Sequence, residues 1–267
     1  MAEARIRVAA VDEQGRTFGF GIDIGGSGIK GARVDLATGE LASERIKFLT
    51  PKKPTPANVV PILAEIVQQA GWTGPFGCTF PGVVRHGVLY SAANLGDVWL
   101  GVNLEQLVGE ATGLPTAVLN DADAAGLAEV RYGAAKGREG VVILTTLGTG
   151  IGTAVINDGA LVPNTEFGHL QMYGRSAEKY AASSAKERKK LSYSKWAERL
   201  QEYYSYLEFL TSPDVIIVGG GISRKSEKFL PLISTQAELI PAELRNQAGI
   251  VGAAVVAHER FGSDRTT

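Results

Sequence analysis

Short apolar runs bounded by glycine open the chain, at Phe18–Ile24, Ile29–Val34 and Leu41–Phe48, and they predict strands joined as a β-meander. The period then becomes helical. Thr55 and Pro56 stand as N-cap and first helical residue, and Val59, Ile62, Leu63, Ile66, Val67 and Ala70 recur on one face behind them. A buried strand at Phe76–Phe80, a turn-rich stretch from Pro81 to Gly101 and a short helix from Leu104 to Thr112 complete a βββαβα order. Asn103 reads as the N-cap of that last helix rather than as a ligand.

The pattern then restarts. A strand at Thr116–Leu119 and a helix from Ala122 to Tyr132 lead into Val141–Thr146 and Ile151–Asn157, two strands around another glycine turn. Set side by side, IGGSGIKGARVD from Ile24 and TLGTGIGTAVIN from Thr146 align Gly26 with Gly148, Gly28 with Gly150, Ile29 with Ile151 and Ala32 with Ala154. Strand, turn and strand repeated roughly halfway along the chain predict a duplicated α/β unit. A final buried strand at Asp214–Val218 runs into Gly219–Gly221, and Ala248 to Phe261 reads as a closing helix. The expected organisation is two similar lobes with a central cleft, residues 1–117 and 118–267, the last helix (248–261) being able to pack back on the first lobe.

Composition narrows this picture without redirecting it. The chain has 267 residues, 45% of them hydrophobic and 21% charged, which suits one large core or two modest ones. A formal net charge of −1 exerts no overall pull toward nucleic acid or anionic membrane, so neither is an expected partner and any anion site has to be local. The single cysteine, Cys78, leaves no intramolecular disulfide and no multi-cysteine zinc cluster, which fits a reducing compartment. The N-terminal stretch is polar and interrupted, without the apolar run of a signal sequence or a membrane span, so a cytoplasmic protein is expected.

The glycines matter for where they fall. Three glycine-rich turns each follow an apolar strand: DIGGSGIK from Asp23 to Lys30, LGTGIG from Leu147 to Gly152, and VGGGIS from Val218 to Ser223. Glycine lets backbone N–H groups converge on an anion, and Ser27, Thr149 and Ser223 offer hydroxyl donors. One such turn alone reads as a tight hairpin; three on two related lobes read as a phosphate site. None matches GxxxxGK[ST], and the first two lead into strands where a dinucleotide fingerprint opens a helix, which disfavours P-loop and Rossmann readings.

Together with NDADAA at Asn120, EFGH at Glu166 and EKYAAS at Glu178, these turns stand in an order that resembles the ROK family, and the likeness runs from about Phe18 to Ala257. GIDIGGSGIKGA and the compact length are similar to that family's actinobacterial polyphosphate glucokinases and polyphosphate/ATP glucomannokinases. The resemblance implies an actin-like ATPase (ribonuclease H-like) fold. It also implies phosphorylation of glucose, and of mannose, at the 6-hydroxyl, with Mg²⁺ and with polyphosphate or ATP as donor. Under it Asp121 is the general base, and Asn94, Asn120, Asp121, Glu166, His169 and Glu178 are the sugar contacts. Gly25, Gly26, Ser27, Gly28, Lys30, Gly148, Thr149, Gly150, Gly219, Gly220 and Gly221 face the donor, and Asp23 orients Mg²⁺ through water. Taken singly, an aspartate before a helix is an ordinary N-cap and the glutamates are ordinary surface charge; the shared motif gives them one purpose.

The chain departs from many ROK proteins at one place. Where they carry a CxCGxxGC zinc motif between the equivalents of His169 and Glu178, this sequence has LQMYGRSA, so no zinc site is expected. Lys186, Arg188, Lys189 and Lys190 come soon after, with Lys195 and Arg199 beyond. Such a charge run ordinarily marks a solvated helix face, but it also suits a track for a long polyanion. Two alternatives stand beside the polyphosphate reading. An ATP-only ROK hexokinase shares every motif except the basic run. A sugar-responsive ROK repressor needs a helix-turn-helix that the roughly twenty residues before Asp23 do not accommodate. Spacing separates neither glucose from mannose nor a monomer from a homodimer.

Overall fold

The structure, a computed structural model, describes residues 10–12, 14–93 and 95–262. Two boundaries, Ala124/Ala125 and Ala248/Gly249, divide it into a first unit lying outside them in sequence and a second unit between them.

In the first unit β1 (Thr17–Ile24), β2 (Gly28–Asp35) and β3 (Ile46–Leu49) form the antiparallel meander. Helix α1 (Pro56–Gln69) crosses over to β4 (Phe76–Phe80), and α2 (Leu104–Thr112) crosses over to β5 (Thr116–Asn120). Both of these strands are parallel to the sheet's start, in the order β3-β2-β1-β4-β5, with Ala10–Val11 pairing along part of β1. The core is aromatic where helices meet sheet. Phe80 lies 5.1 Å from Trp99 and Phe20 lies 5.5 Å from Trp72 between ring centroids. Each such buried side chain contributes about 1.5–3 kcal/mol of transfer free energy.

Helix α3 (Asp121–Tyr132) leads to the second unit's meander, β6 (Val141–Leu147), β7 (Ile151–Asn157) and β8 (Ala160–Val162). Short helices α4 (Ala177–Ala181) and α5 (Ser183–Arg188) and the long α6 (Tyr193–Thr211) precede the parallel strands β9 (Val215–Gly219) and β10 (Glu238–Pro241). The order is β8-β7-β6-β9-β10. Strand for strand, this is the topology of the first sheet. The registers refine the sequence alignment: Ile24 pairs with Ile29, but Leu147 pairs with Ile151, so the second hairpin turn is one residue shorter.

Helix α7 (Ala248–Phe261) closes the chain against the first sheet. Gly21 and Gly77 are neighbours on β1 and β4, and a Cβ on either would overlap the carbonyl of Ile250 or Ala253. Two glycines thus let helix backbone rest directly on strand backbone.

Three elements differ from the pattern-based reading. The third strand is confined to Ile46–Leu49, because Ser43 Oγ takes the Arg33 N–H at 3.1 Å and leaves only a single bridge, Val34 to Leu41, beyond it. Helix α6 is masked in the sequence by its charges, although Trp196, Leu200, Tyr203, Tyr204 and Leu207 are buried at helical spacing and Ser192 caps it through the Lys195 N–H. Strand β10 is an edge strand only four residues long that ends in Pro241. The N-cap at Asn103 is as expected, accepting from the Gln106 N–H at 3.0 Å, whereas Thr55 occupies its cap position without a side-chain bond.

Candidate active site

Parallel strands deliver their C-terminal ends to one edge of a sheet, and ligand sites of open α/β folds form there. In the first unit that edge holds Asp23, Thr79 and Asn120-Asp121, at the ends of β1, β4 and β5. The Thr79 hydroxyl donates to Asp23 Oδ1 at 2.9 Å, and Lys30, opposite Asp23 in the ladder, brings Nζ to 3.9 Å from Oδ2. Burial pushes the Asp23 carboxyl above its ordinary pKa, with the Thr79 hydrogen bond and the Lys30 charge opposing that shift. The turn between these strands is closed by Gly25 N–H on the Gly28 carbonyl at 3.0 Å, with Gly26 and Ser27 exposed at its tip.

Asn120 is buried, and its side chain is the true helix cap: Oδ1 accepts from the N–H of Ala122 at 2.8 Å and of Asp123 at 3.0 Å. Its Nδ2 donates to the Gly82 carbonyl at 3.1 Å, tying the loop after β4 to the start of α3. The capping that an aspartate before a helix ordinarily performs therefore belongs to its neighbour. Asp121, half-buried, accepts the Ala122 N–H at 2.9 Å in the first turn, where the helix dipole favours a negative charge. Asn94 lies outside the described residues.

The second unit gathers Glu166, His169 and Glu178. His169 Nε2 lies 3.7 Å from Glu166 Oε2, and its Nδ1 lies 3.9 Å from Glu178 Oε1, so the imidazole sits between two carboxylates. Burial raises the pKa of Glu166; the His169 charge opposes this and that of Glu178 adds to it. Their placement is set by the strands beneath. The Thr153 hydroxyl donates to the Thr165 carbonyl at 2.6 Å and accepts the Phe167 N–H at 3.0 Å, while Gly168 presses against the Ile151 carbonyl too closely for a Cβ. Glu178 in turn abuts Gly150, where a Cβ would overlap its carboxylate.

Without the cysteines of the zinc motif, the interval before Glu178 folds as a small hairpin, Gln171–Met172 with Arg175–Ser176, turning at Tyr173 (φ 52) and Gly174 (φ 71). Helix α6 holds α4, the short helix after that hairpin. Arg199 Nη1 donates to the Tyr180 carbonyl at 2.9 Å, the Tyr180 hydroxyl donates to Glu202 at 3.1 Å, and Trp196 Nε1 donates to the Ala181 carbonyl at 2.7 Å. Side chains of α6 thus fix the helix that carries Glu178. Arg199, read from sequence as part of a basic run, is engaged here, and Lys195 pairs with Glu198 at 2.8 Å.

The other two glycine turns meet in this unit. Gly148 N–H bonds the Gly150 carbonyl at 3.0 Å, and Gly220 (φ +83) is packed so that a Cβ would lie 2.5 Å from the Leu147 carbonyl oxygen. The Ser223 hydroxyl, expected to offer a donor to an anion, donates to the Gly220 carbonyl at 2.8 Å and stabilises the turn. Helix α5 is fastened to the Gly148 turn by Ser183 Oγ on Gly148 O at 3.0 Å and Ser184 Oγ on Thr149 O at 2.6 Å. Among the described residues no group of three or more His, Cys, Asp or Glu is arranged to hold a metal, and no helix is long and apolar enough to cross a membrane.

Comparison with known proteins gives this geometry a lineage. Residues 19–182 match the profile of the ROK family. Polyphosphate glucokinase of Mycobacterium tuberculosis is 54% identical over 238 residues, covering 89% of this chain and 90% of that protein. Among solved structures, the inorganic polyphosphate/ATP-glucomannokinase of Arthrobacter sp. strain KM superposes with a TM-score of 0.87 at 47% identity, covering 91% of this chain and 99% of that one. A ROK family glucokinase from Streptomyces griseus, in complex with glucose and AMPPNP, superposes with a TM-score of 0.76 at 25% identity over 91% and 99% of the respective chains.

Proposed function

The chain belongs to the ROK family, and from that premise we propose that it is a glucokinase drawing its phosphoryl group from inorganic polyphosphate or ATP. It has the mixed α/β, actin-like ATPase fold of the ROK sugar kinases. The observation that carries the functional reading is the 54% identity to a polyphosphate glucokinase across nine-tenths of that protein's length. Mannose as a further substrate rests on the likeness to the glucomannokinase.

Phosphoryl transfer asks for positioning and charge stabilisation more than for covalent chemistry. Asp121 takes the proton of the sugar 6-hydroxyl as that oxygen bonds to the terminal phosphorus of the donor, whose bond to the bridging oxygen breaks. Asn120 orients Asp121 by capping α3; with its carbonyl oxygen engaged by two N–H groups, only Nδ2 has capacity for a sugar hydroxyl. Glu166, His169 and Glu178 bind the remaining hydroxyls, and Asn94 joins them on the strength of its motif. The N–H groups of the turns Gly25–Gly28, Gly148–Gly150 and Gly219–Gly221 receive donor phosphates, apart from those of Gly25 and Gly148, which close their own turns, and Lys30 stands beside the first turn. A Mg²⁺ ion fits a single hard carboxylate at a phosphate turn, so Asp23 would hold it through water, where it supplies charge neutralisation to the donor.

The test is the initial rate of glucose 6-phosphate formation with Mg²⁺, ATP and long-chain polyphosphate being supplied separately and each freed of the other. Product with both donors is expected. Product with ATP alone would reassign the chain to the ATP-only hexokinases, and product with neither would overturn the reading.

A further inference from the structure

A shallow groove of about 670 Å³ in the second unit is lined by Tyr173, Gly174, Arg175, Lys179, Arg188 and Lys189. Four of those six residues are cations, and no carboxylate lines it. The groove re-sorts the basic run seen in the sequence. Lys186 turns away to the Tyr193 ring, 4.4 Å from its centroid, whereas Arg188 and Lys189 join Arg175 from the small hairpin and Lys179 from α4. Arg188 Nη2 donates to the Lys179 carbonyl at 3.2 Å, which fastens the end of α5 to α4 and sets the spacing of the charges.

The groove also has a fixed relation to the phosphate turn. Helix α5 starts on Gly148 and Thr149 through Ser183 and Ser184, and Arg188 stands about 8 Å farther along at 1.5 Å per residue. Like charges gathered along one groove repel one another, and an anion that spans them relieves that repulsion. An unbranched phosphate chain carries charge on every unit and has no base to accommodate, which suits an open cationic groove. Single-stranded nucleic acid would ask for stacking platforms as well, and the one ring among the lining residues, Tyr173, already packs against Tyr180 at 5.3 Å.

We infer that this groove holds the tail of an inorganic polyphosphate whose reacting end lies at the Gly148–Gly150 turn. The inference rests on the polyphosphate-donor reading above. It makes the groove the device that separates long polyphosphate from ATP, which does not extend into it. Arg175 and Lys179 are new to the site; neither is among the basic residues singled out in the sequence.

The experiment compares wild type with R175A/K179A, both positions being exposed, and with the charge-keeping R175K/K179R. Initial rates are measured with long-chain polyphosphate, tripolyphosphate and ATP, and binding of end-labelled long-chain polyphosphate is followed by fluorescence anisotropy. R175A/K179A should raise the KM for long-chain polyphosphate about tenfold and weaken its binding equally, as loss of two exposed charge contacts does. Its KM values for ATP and tripolyphosphate should stay within about twofold, and R175K/K179R should behave as wild type. An unchanged KM for long-chain polyphosphate, an equal rise for ATP, or displacement of the label by a single-stranded RNA homopolymer at matched phosphate concentration would each overturn the inference. If wild type fails to use polyphosphate at all, the donor reading falls; the anisotropy comparison then still decides the groove, binding that is lost in R175A/K179A supporting it and binding that is retained removing it.

Discussion

The two sheets share one strand order, and each places a glycine hairpin between its first antiparallel strands, yet the hairpins differ in charge. At the pair before the first turn Asp23 faces Lys30; at the corresponding pair of the second, Thr146 faces Gly152. The first turn is one residue longer and is tied through its Gly25 carbonyl to the Thr50 hydroxyl just after β3, whereas the carbonyls of Gly148 and Thr149 are taken by Ser183 and Ser184 of α5. A duplicated frame thus supplies two glycine turns, and chemistry is added to each differently. The first unit puts its charges on strand ends. The second adds them on the chain between β8 and β9, where Glu166, His169, Glu178 and the cationic groove are found.

That contrast orders the expected effects of substitution. Asp121→Asn should be the most damaging, lowering kcat about 10²–10⁴-fold with either donor, the usual contribution of a general base. Steady-state rates at saturating glucose check this, and a near-wild-type rate would take Asp121 out of the mechanism. Next comes Asp23→Asn, expected to lower kcat/KM for the donor roughly a hundredfold, as loss of a preorganised charge does. Its counterpart Thr146→Val should change it by no more than about threefold. Equal losses in the two variants would make the turns equivalent and erase the contrast. Glu178→Gln should raise the KM for glucose about tenfold, the worth of one charge-assisted hydrogen bond, while leaving the KM for ATP unchanged.

The smallest effect concerns stability. Because burial raises the pKa of Glu166, the folded state holds that proton more tightly than the unfolded chain does. Stability from this group is full below the ordinary glutamate pKa and is lost as pH rises through the raised value. Glu166→Gln should therefore raise Tm by about 2 °C at neutral pH, with the gain vanishing toward acid, while glucose binding weakens. A Tm shift of the same size at every pH would show that ionisation of Glu166 is not its source.

Much of this arrangement is legible in the sequence where physical constraint is local. Strand β4 and helices α2 and α7 match their expected bounds because glycine, cap residues and apolar period all agree there. The Asn120-Asp121 pair can be found by motif, but the division of tasks within it cannot. Only the fold shows that Asn120 takes the two N–H groups a capping aspartate would take. The bond that Ser223 makes is out of view in the sequence for the same reason, since a hydroxyl beside glycines donates to a carbonyl as readily as to a phosphate. Helix α6 escapes the sequence reading because its charges draw attention from Trp196, Leu200, Tyr203 and Leu207, and with it the support of Glu178 is lost from view. Arg175 and Lys179 give no signal at all: they join Arg188 and Lys189 only after a hairpin and two short helices have folded.

The central claim is that proton abstraction belongs to Asp121 in the first unit, whereas Glu166, His169 and Glu178 in the second serve sugar recognition and not proton transfer. Calorimetric titration of glucose into D121N and E178Q tests it most directly. The account predicts a Kd within about threefold of wild type for D121N and about tenfold weaker for E178Q. The reverse order, with binding lost in D121N and kept in E178Q, would contradict it.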